Sequence, residues 1–268
     1  MEPMVVIVLA CLLLGAVVGI LAGMLGIGGG LIIVPALSYL LVHFLGMTTE
    51  SVMPVAIATS LSTIIFTGMS SAFAHYKLGN IKANIVLYTG VGIAFGAIVG
   101  AQIASHISGQ TLKDVFAVLV ILIAAQMIFG KQKASQNDAS KMTLGVVGSG
   151  AGVLSALMGI GGGALLVPAL VWFRVNVRIA IGCAAFSGLI IAIFGTASFI
   201  IAGWNAADVP EHSIGYVYLP ATLGIVVTSV FAANIGAKLG QKVNVRVLKM
   251  MLACLLVLVS IRMILGIE

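Results

Sequence analysis

Apolar residues run along this chain in long unbroken blocks, and polar residues are confined to short interruptions between them. A helix needs about 20 apolar residues to cross a hydrocarbon core about 30 Å thick. On that measure the first half divides into Met4–Leu25, a short Leu31–Leu45, Ser51–Ala74, Asn84–Ile107 and Leu112–Phe129. The second half divides into Met142–Met158, a still shorter Ala164–Phe173, Ile179–Trp204, Tyr216–Ala237 and Val245–Leu265. No run alternates polar and apolar residues as a membrane barrel strand would. The pattern predicts an all-α polytopic membrane protein with two sets of five helical segments.

Composition strengthens this reading, since 61% of the 268 residues are hydrophobic and only 7% are charged. A soluble domain of this length carries about a quarter of its residues as charges. The chain begins Met-Glu-Pro with no basic stretch, and its first apolar run is too long for the core of a secretory signal, so it is expected to remain as a helix. Cys11, Cys183 and Cys254 lie inside apolar runs without metal-ligand spacing. They read as small packing residues, and no metal, cofactor or disulfide is implied.

Charge sorts by loop. His75, Lys77, Lys82, Lys131, Lys133, Lys141, Arg174, Arg178, Lys238, Lys242, Arg246 and Lys249 fall on one side, which therefore holds eleven of the thirteen Lys and Arg residues. Glu2, Glu50, Asp114, Asp208, Glu211 and Glu268 fall on the other, six of the seven acids. Basic loops stay in the cytoplasm, so both termini are expected outside and the polar stretch 131–141 is expected to be a cytoplasmic linker. The net charge of +6 then reflects orientation and contact with headgroups and requires no nucleic acid.

The two halves repeat one another. GMLGIGGGLIIVPAL at Gly23–Leu37 returns as ALMGIGGGALLVPAL at Ala156–Leu170, AIATSLST from Ala56 as AIGCAAFS from Ala180, and LKDVFAVLVILIAAQMIF from Leu112 as LKMMLACLLVLVSIRMIL from Leu248. Residues 1–130 and 142–268 thus form two repeats. An odd number of segments per repeat makes the second copy enter from the opposite face, an inverted-topology repeat of the kind found in secondary transporters.

The apolar run after Gly163 is too short to cross alone, so each glycine cluster is expected to be the tip of a re-entrant hairpin near the midplane. Backbone N–H groups of Gly28, Gly29, Gly30 and Leu31, and of Gly161, Gly162, Gly163 and Ala164, would lie free at the start of a short helix, whose dipole attracts an anion. Pro35 and Pro168 are expected to end or kink these helices. Hydroxyls of Thr59, Ser60, Thr63 and Ser187 in the third segments are candidate donors to the same anion. Two other readings remain open: glycines allow close helix crossings, and membrane Ser and Thr commonly bond to backbone. A phosphate loop is excluded, since no Gly-Lys-Ser/Thr follows either cluster. Gln102 and Asn234 are site donors or interhelical links, while His43, His75, His106 and Arg262 sit near segment ends and read as interfacial. No nucleophile–base pair, acid pair or metal motif suggests an enzyme.

The paired glycine motifs, each followed by its third segment, resemble the TauE/SafE sulfite exporter family of bacterial membrane proteins over essentially the whole length. The resemblance implies a transporter in the cytoplasmic membrane that exports sulfite, sulfoacetate or a related organosulfonate. In this chain Cys183-Ala184-Ala185 stands opposite Thr59-Ser60-Leu61, so the second repeat offers fewer hydroxyls. Expected partners are a small anionic substrate and the lipid bilayer, with a homodimer left open. A passive anion channel, or a transporter of another small organic anion, is the alternative.

Overall fold

The computed structural model describes residues 3–25, 28–129, 140–240, 250 and 257. Most of the linker and nearly all of the tenth expected segment lie outside them. The described elements are α1 (Pro3–Leu25), α2 (Gly30–Leu45), α3 (Thr49–Lys77), α4 (Ala83–His106), α5 (Gly109–Phe129), α6 (Lys141–Met158), α7 (Gly163–Trp172), α8 (Val177–Ala202), a hairpin of β1 (Ser213–Ile214) and β2 (Val217–Tyr218), and α9 (Leu219–Leu239). Seven of these helices are long and apolar enough to cross a membrane, and α2 and α7 fall short. The protein is therefore a helical, multi-pass membrane protein. Its outer surface is correspondingly apolar, with Leu13, Val91, Phe95, Ile201 and Phe231 exposed.

Local signals place the helix ends. Ser140 caps α6 by accepting the Thr143 N–H at 3.1 Å, and Asn176 caps α8 by accepting the Arg178 N–H at 2.9 Å. Gly46 and Gly159 close α2 and α6 in the left-handed conformation that glycine adopts without penalty. Pro35 and Pro168 do not terminate their helices: α2 continues to Leu45 and α7 to Trp172.

The expected start of the ninth segment, Tyr216, is corrected. Tyr216 is not helical but sits in the turn of a two-stranded ribbon with register Ser213↔Tyr218 and Ile214↔Val217. Gly215 forms that turn at φ +57° against the backbone of Ile200, and Pro220 sits in the first turn of α9. An apolar stretch alone cannot distinguish such a ribbon from the first turn of a helix.

Glycine stripes set the packing. On α1, Gly15, Gly19 and Gly23 meet the α9 backbone at Ile225, Ser229 and Ala233, so the two helices run parallel. On α4, Gly92, Gly96 and Gly100 meet α6 at Gly145, Ser149 and Val153, again in parallel, while Gly148 and Gly152 meet Thr89 and Ile93 in return. A Cβ at Gly19 would lie 2.6 Å from the Ser229 carbonyl oxygen, so these small residues allow backbone-to-backbone contact. In a bilayer, where no hydrophobic effect drives helices together, such van der Waals contact is a main source of association.

At the centre lies α3, the most thoroughly buried of the candidate spans, flanked by α8 and α9. Its path also orders the charges. Antiparallel α8 sets Gly182 against Asn80, which brings Arg178 to the end of the bundle that carries Lys77 and Lys82. At the other end Asp208 and Glu211 border a cleft with Thr48 and Ser51, and the Glu50 carboxylate accepts the Gly109 N–H at the start of α5. The bundle thus has a basic end and an acidic end.

Candidate functional site

The two glycine clusters, 133 positions apart in sequence, touch in the fold. A Cβ on Gly28 would lie 2.7 Å from the Gly161 Cα, and one on Gly161 would lie 2.9 Å from the Gly28 Cα. Gly30 packs on the backbone of Gly159 and Ile160, completing the contact. The junction sits against Ile64 and Gly188, near the middle of α3 and of α8. Gly28 and Gly29 adopt φ of +73° and +79°, a region that any L side chain strains to enter. Bulk is therefore excluded twice, by conformation and by contact.

From this junction the two short helices run in opposite directions. Gly29 begins α2 beside Val18 and Ala22 of α1, and α2 ends at Gly46 in the acidic-end cleft. α7 leads instead through Phe173 and Arg174 into the basic end of α8. With 16 and 10 residues they cover about 24 Å and about 15 Å, so their N-termini come together inside the bundle. The Gly29 carbonyl accepts the N–H groups of Ile32 and Ile33, and the Gly162 carbonyl accepts those of Leu165 and Leu166. Among the described residues, the N–H groups of Gly30, Leu31, Gly162 and Ala164 have no backbone acceptor outside regular helix bonding, whereas the Gly163 N–H, expected to be free, donates to the Gly161 carbonyl across the tight turn of the tip. Two positive helix ends thus face one region, an arrangement suited to an anion.

The four hydroxyls named from sequence have distinct environments. Ser60 Oγ donates to the Gly159 carbonyl at 2.7 Å and so anchors the second tip to α3. Thr59 Oγ1 accepts the Tyr218 N–H at 3.0 Å, which fixes the ribbon before α9. Thr63 donates back to the Ser60 carbonyl at 2.7 Å. Ser187, beside Gly188, is fully buried and its hydroxyl has no partner among the described residues. Ser62 shares a 2.7 Å hydrogen bond with Thr222 of α9. Gln102 is an interhelical link, donating to Ser198 of α8 at 2.9 Å, and Asn234 is exposed on α9.

His75 departs from its sequence reading. It is buried inside the bundle and is not interfacial, and neither ring nitrogen has a hydrogen-bond partner among the described residues. The position near a segment end concealed this, because the α1 backbone at Gly23 lies against that turn of α3. A pattern that could have revealed it is the recurrence of Thr63, Thr67, Ser71 and His75 at intervals of four.

Comparison with known proteins gives a consistent picture. A family model described as sulfite exporter TauE/SafE matches residues 11–263. A probable membrane transporter protein of Haemophilus influenzae is 40% identical over 258 residues, covering 96% of this chain and 97% of its own. Similar to the chain at lower identity are probable membrane transporter proteins of Methanocaldococcus jannaschii, 28% identical with 95% and 94% covered, and of Bacillus subtilis, 27% identical with 94% and 95% covered. No solved structure matches. With its paired glycine tips inside a helical bundle and the family match running almost from end to end, the chain belongs to the TauE/SafE sulfite exporter family.

Proposed function

We propose that this protein is a secondary transporter that exports a small sulfur-containing anion, such as sulfite, sulfoacetate or a related organosulfonate, across the cytoplasmic membrane, with its basic end in the cytoplasm. The observation that carries the proposal is the meeting of the α2 and α7 N-termini at Gly28 and Gly161, midway along α3 and α8. A pair of helix dipoles there attracts negative charge without a fixed Lys or Arg. That is useful to a carrier, since an anion held by dipoles rather than by a fixed charge can also leave.

Alternating access is the second part of the proposal. Exchanging α1 with α6, α2 with α7, α3 with α8 and α4 with α9 turns the α1–α9 packing into α6–α4, α2–α3 into α7–α8, and α3–α9 into α8–α4. The α3–α8 contact and the Gly28–Gly161 contact map onto themselves. This exchange supports two inverted repeats with the junction on their pseudo-axis, and rocking of one repeat against the other would open the junction to each side in turn.

The test is counterflow in proteoliposomes. Vesicles loaded with unlabelled sulfite, sulfoacetate or isethionate should accumulate the same radiolabelled anion transiently, with saturable rates. Unitary conductance steps in a planar bilayer without counterflow would make the protein a channel. Counterflow restricted to anions without sulfur would overturn the substrate assignment.

A further inference from the structure

On the basic half of α3, Thr67, Ser71 and His75 continue the four-residue spacing from Thr63, so all four side chains share one helix face. All are buried. Thr63 and Thr67 return their hydroxyl bonds to their own helix, at 2.7 and 3.1 Å. Ser71 Oγ and both nitrogens of His75 have no hydrogen-bond partner among the described residues. The backbone of Gly23 faces the His75 ring without meeting the geometry of a hydrogen bond. An unpaired buried polar group costs about 1–3 kcal/mol, so two such groups in a row call for an explanation.

Packing does not require them. Aligning AIATSLST with AIGCAAFS places Ile191, Gly195 and Phe199 of α8 opposite Thr67, Ser71 and His75. The second repeat builds the same helix with an apolar face, and Phe199 is fully buried. There the Leu61 side chain fills the space over Gly195, its Cδ1 2.9 Å from where a Cβ would lie. The second-repeat counterpart of Leu61 is the smaller Ala185 of α8. The missing bulk leaves a cavity bordered by Ala22, Gly28, Thr67, Ser71, Ala185 and Gly188. Its volume is about 10 Å³ as the space open to a water centre, and the surface it exposes is apolar. The cavity touches the glycine junction at Gly28 and the unpaired Ser71, and His75 lies one turn further towards the basic end.

We propose that this face of α3 is the access path of the substrate anion from the basic side, along which Ser71 Oγ–H and a His75 ring N–H are donors that pass a small oxyanion to the junction. The assignment rests on the transport function proposed above. Both groups are donors held ready: a serine hydroxyl offers one, and either neutral tautomer of histidine offers one. The cavity is too small for an oxyanion, so the path here is closed and opens by separation of α3 from α8. The matching face of α8 carries Ile191, Gly195 and Phe199 in these three places, so the two repeats differ along this face.

Cysteine accessibility tests the path without needing a transported substrate. In the full chain carrying Cys11→Ala, Cys183→Ala and Cys254→Ala, single Ser71→Cys and His75→Cys variants are compared with Phe66→Cys, which lies on the exposed face of the same helix. A charged methanethiosulfonate is applied to vesicles from either side. A thiol in a wet path ionises and one in an apolar setting does not, so positions 71 and 75 should react at least about tenfold faster than 66, and only from the side of Lys77. Sulfoacetate should slow that reaction. Rates equal to position 66 would overturn the path, and one-sided labelling that neither sulfoacetate nor isethionate slows would overturn its role for the anion. Counterflow of the parent protein is scored separately, so its absence counts against the transport proposal while labelling still decides the path. Should Ser71→Cys fold poorly, Ser71→Thr and Ser71→Val serve instead. Flux retained in Thr and lost in Val supports the donor, and equal flux in both overturns it.

Discussion

Contact between the glycine tips can be measured with three alanines. Gly79 has φ +69° and no atom within 4 Å of an added Cβ, so Gly79→Ala imposes backbone strain alone, about 1–2 kcal/mol. Gly161 lacks a positive φ, but its Cβ would lie 2.9 Å from the Gly28 Cα and 3.2 Å from the Ile64 Cγ2. Carbon atoms rest at about 3.5–4.0 Å, so Gly161→Ala must part the tips by roughly 1 Å, an overpacking cost of about 1–3 kcal/mol. Gly28→Ala combines both effects, with φ +73° and 2.7 Å to backbone, and should cost about 2–5 kcal/mol. In a chain carrying Cys254→Ala, thermal unfolding in detergent can be followed by thiol labelling of Cys11 and Cys183, which are buried in the fold. Each kcal/mol lowers the midpoint by about 2–4 °C in a chain of this size. The expected order is Gly79→Ala mildest and Gly28→Ala most severe, with counterflow lost in Gly28→Ala and Gly161→Ala and kept in Gly79→Ala. If Gly161→Ala unfolds and transports like the parent protein, the tips do not meet and the site assignment collapses.

Ser60→Ala should lower stability by about 1–3 kcal/mol, because the buried Gly159 carbonyl loses a donor that ties α3 to the second tip. Thr63→Val, which removes only a bond back to its own helix, should cost less than about 1 kcal/mol, and a reversed order in thermal unfolding would contradict the anchoring role. Thr59→Val unpairs the Tyr218 N–H and should loosen the ribbon before α9, read as faster amide exchange at residues 213–218. Gly19→Leu or Gly96→Leu should abolish recovery of monodisperse protein, since each drives a side chain into a facing backbone; normal yield would disprove the glycine packing. A cysteine introduced as Ser135→Cys should resist impermeant thiol reagents on intact cells, and rapid labelling would invert the proposed orientation.

Much of the architecture was legible because the bilayer imposes a simple rule. Every buried backbone group must be satisfied within its own segment, so apolar length alone predicts helices, and α3 to α8 begin and end within a few residues of their expected bounds. The charges were equally local in meaning: the described Lys and Arg of the loops gather at one end because each loop carries its own. The duplicated glycine motif announced two equivalent tips. What sequence could not supply was distance. That Gly28 rests on Gly161, and that Ser60 reaches Gly159, depends on how α3 and α8 cross, which is a property of many side chains packed at once. The same holds for His75: its place in the chain suggests an interface, whereas the neighbouring helices bury it, and burial turns an ordinary terminal histidine into an unpaired group facing inward. The ribbon at 213–218 was hidden for a related reason. Hydropathy records how apolar a residue is, but whether Tyr216 turns or begins a helix is decided by the Gly215 turn, by Pro220 and by the Thr59 hydroxyl waiting on another helix.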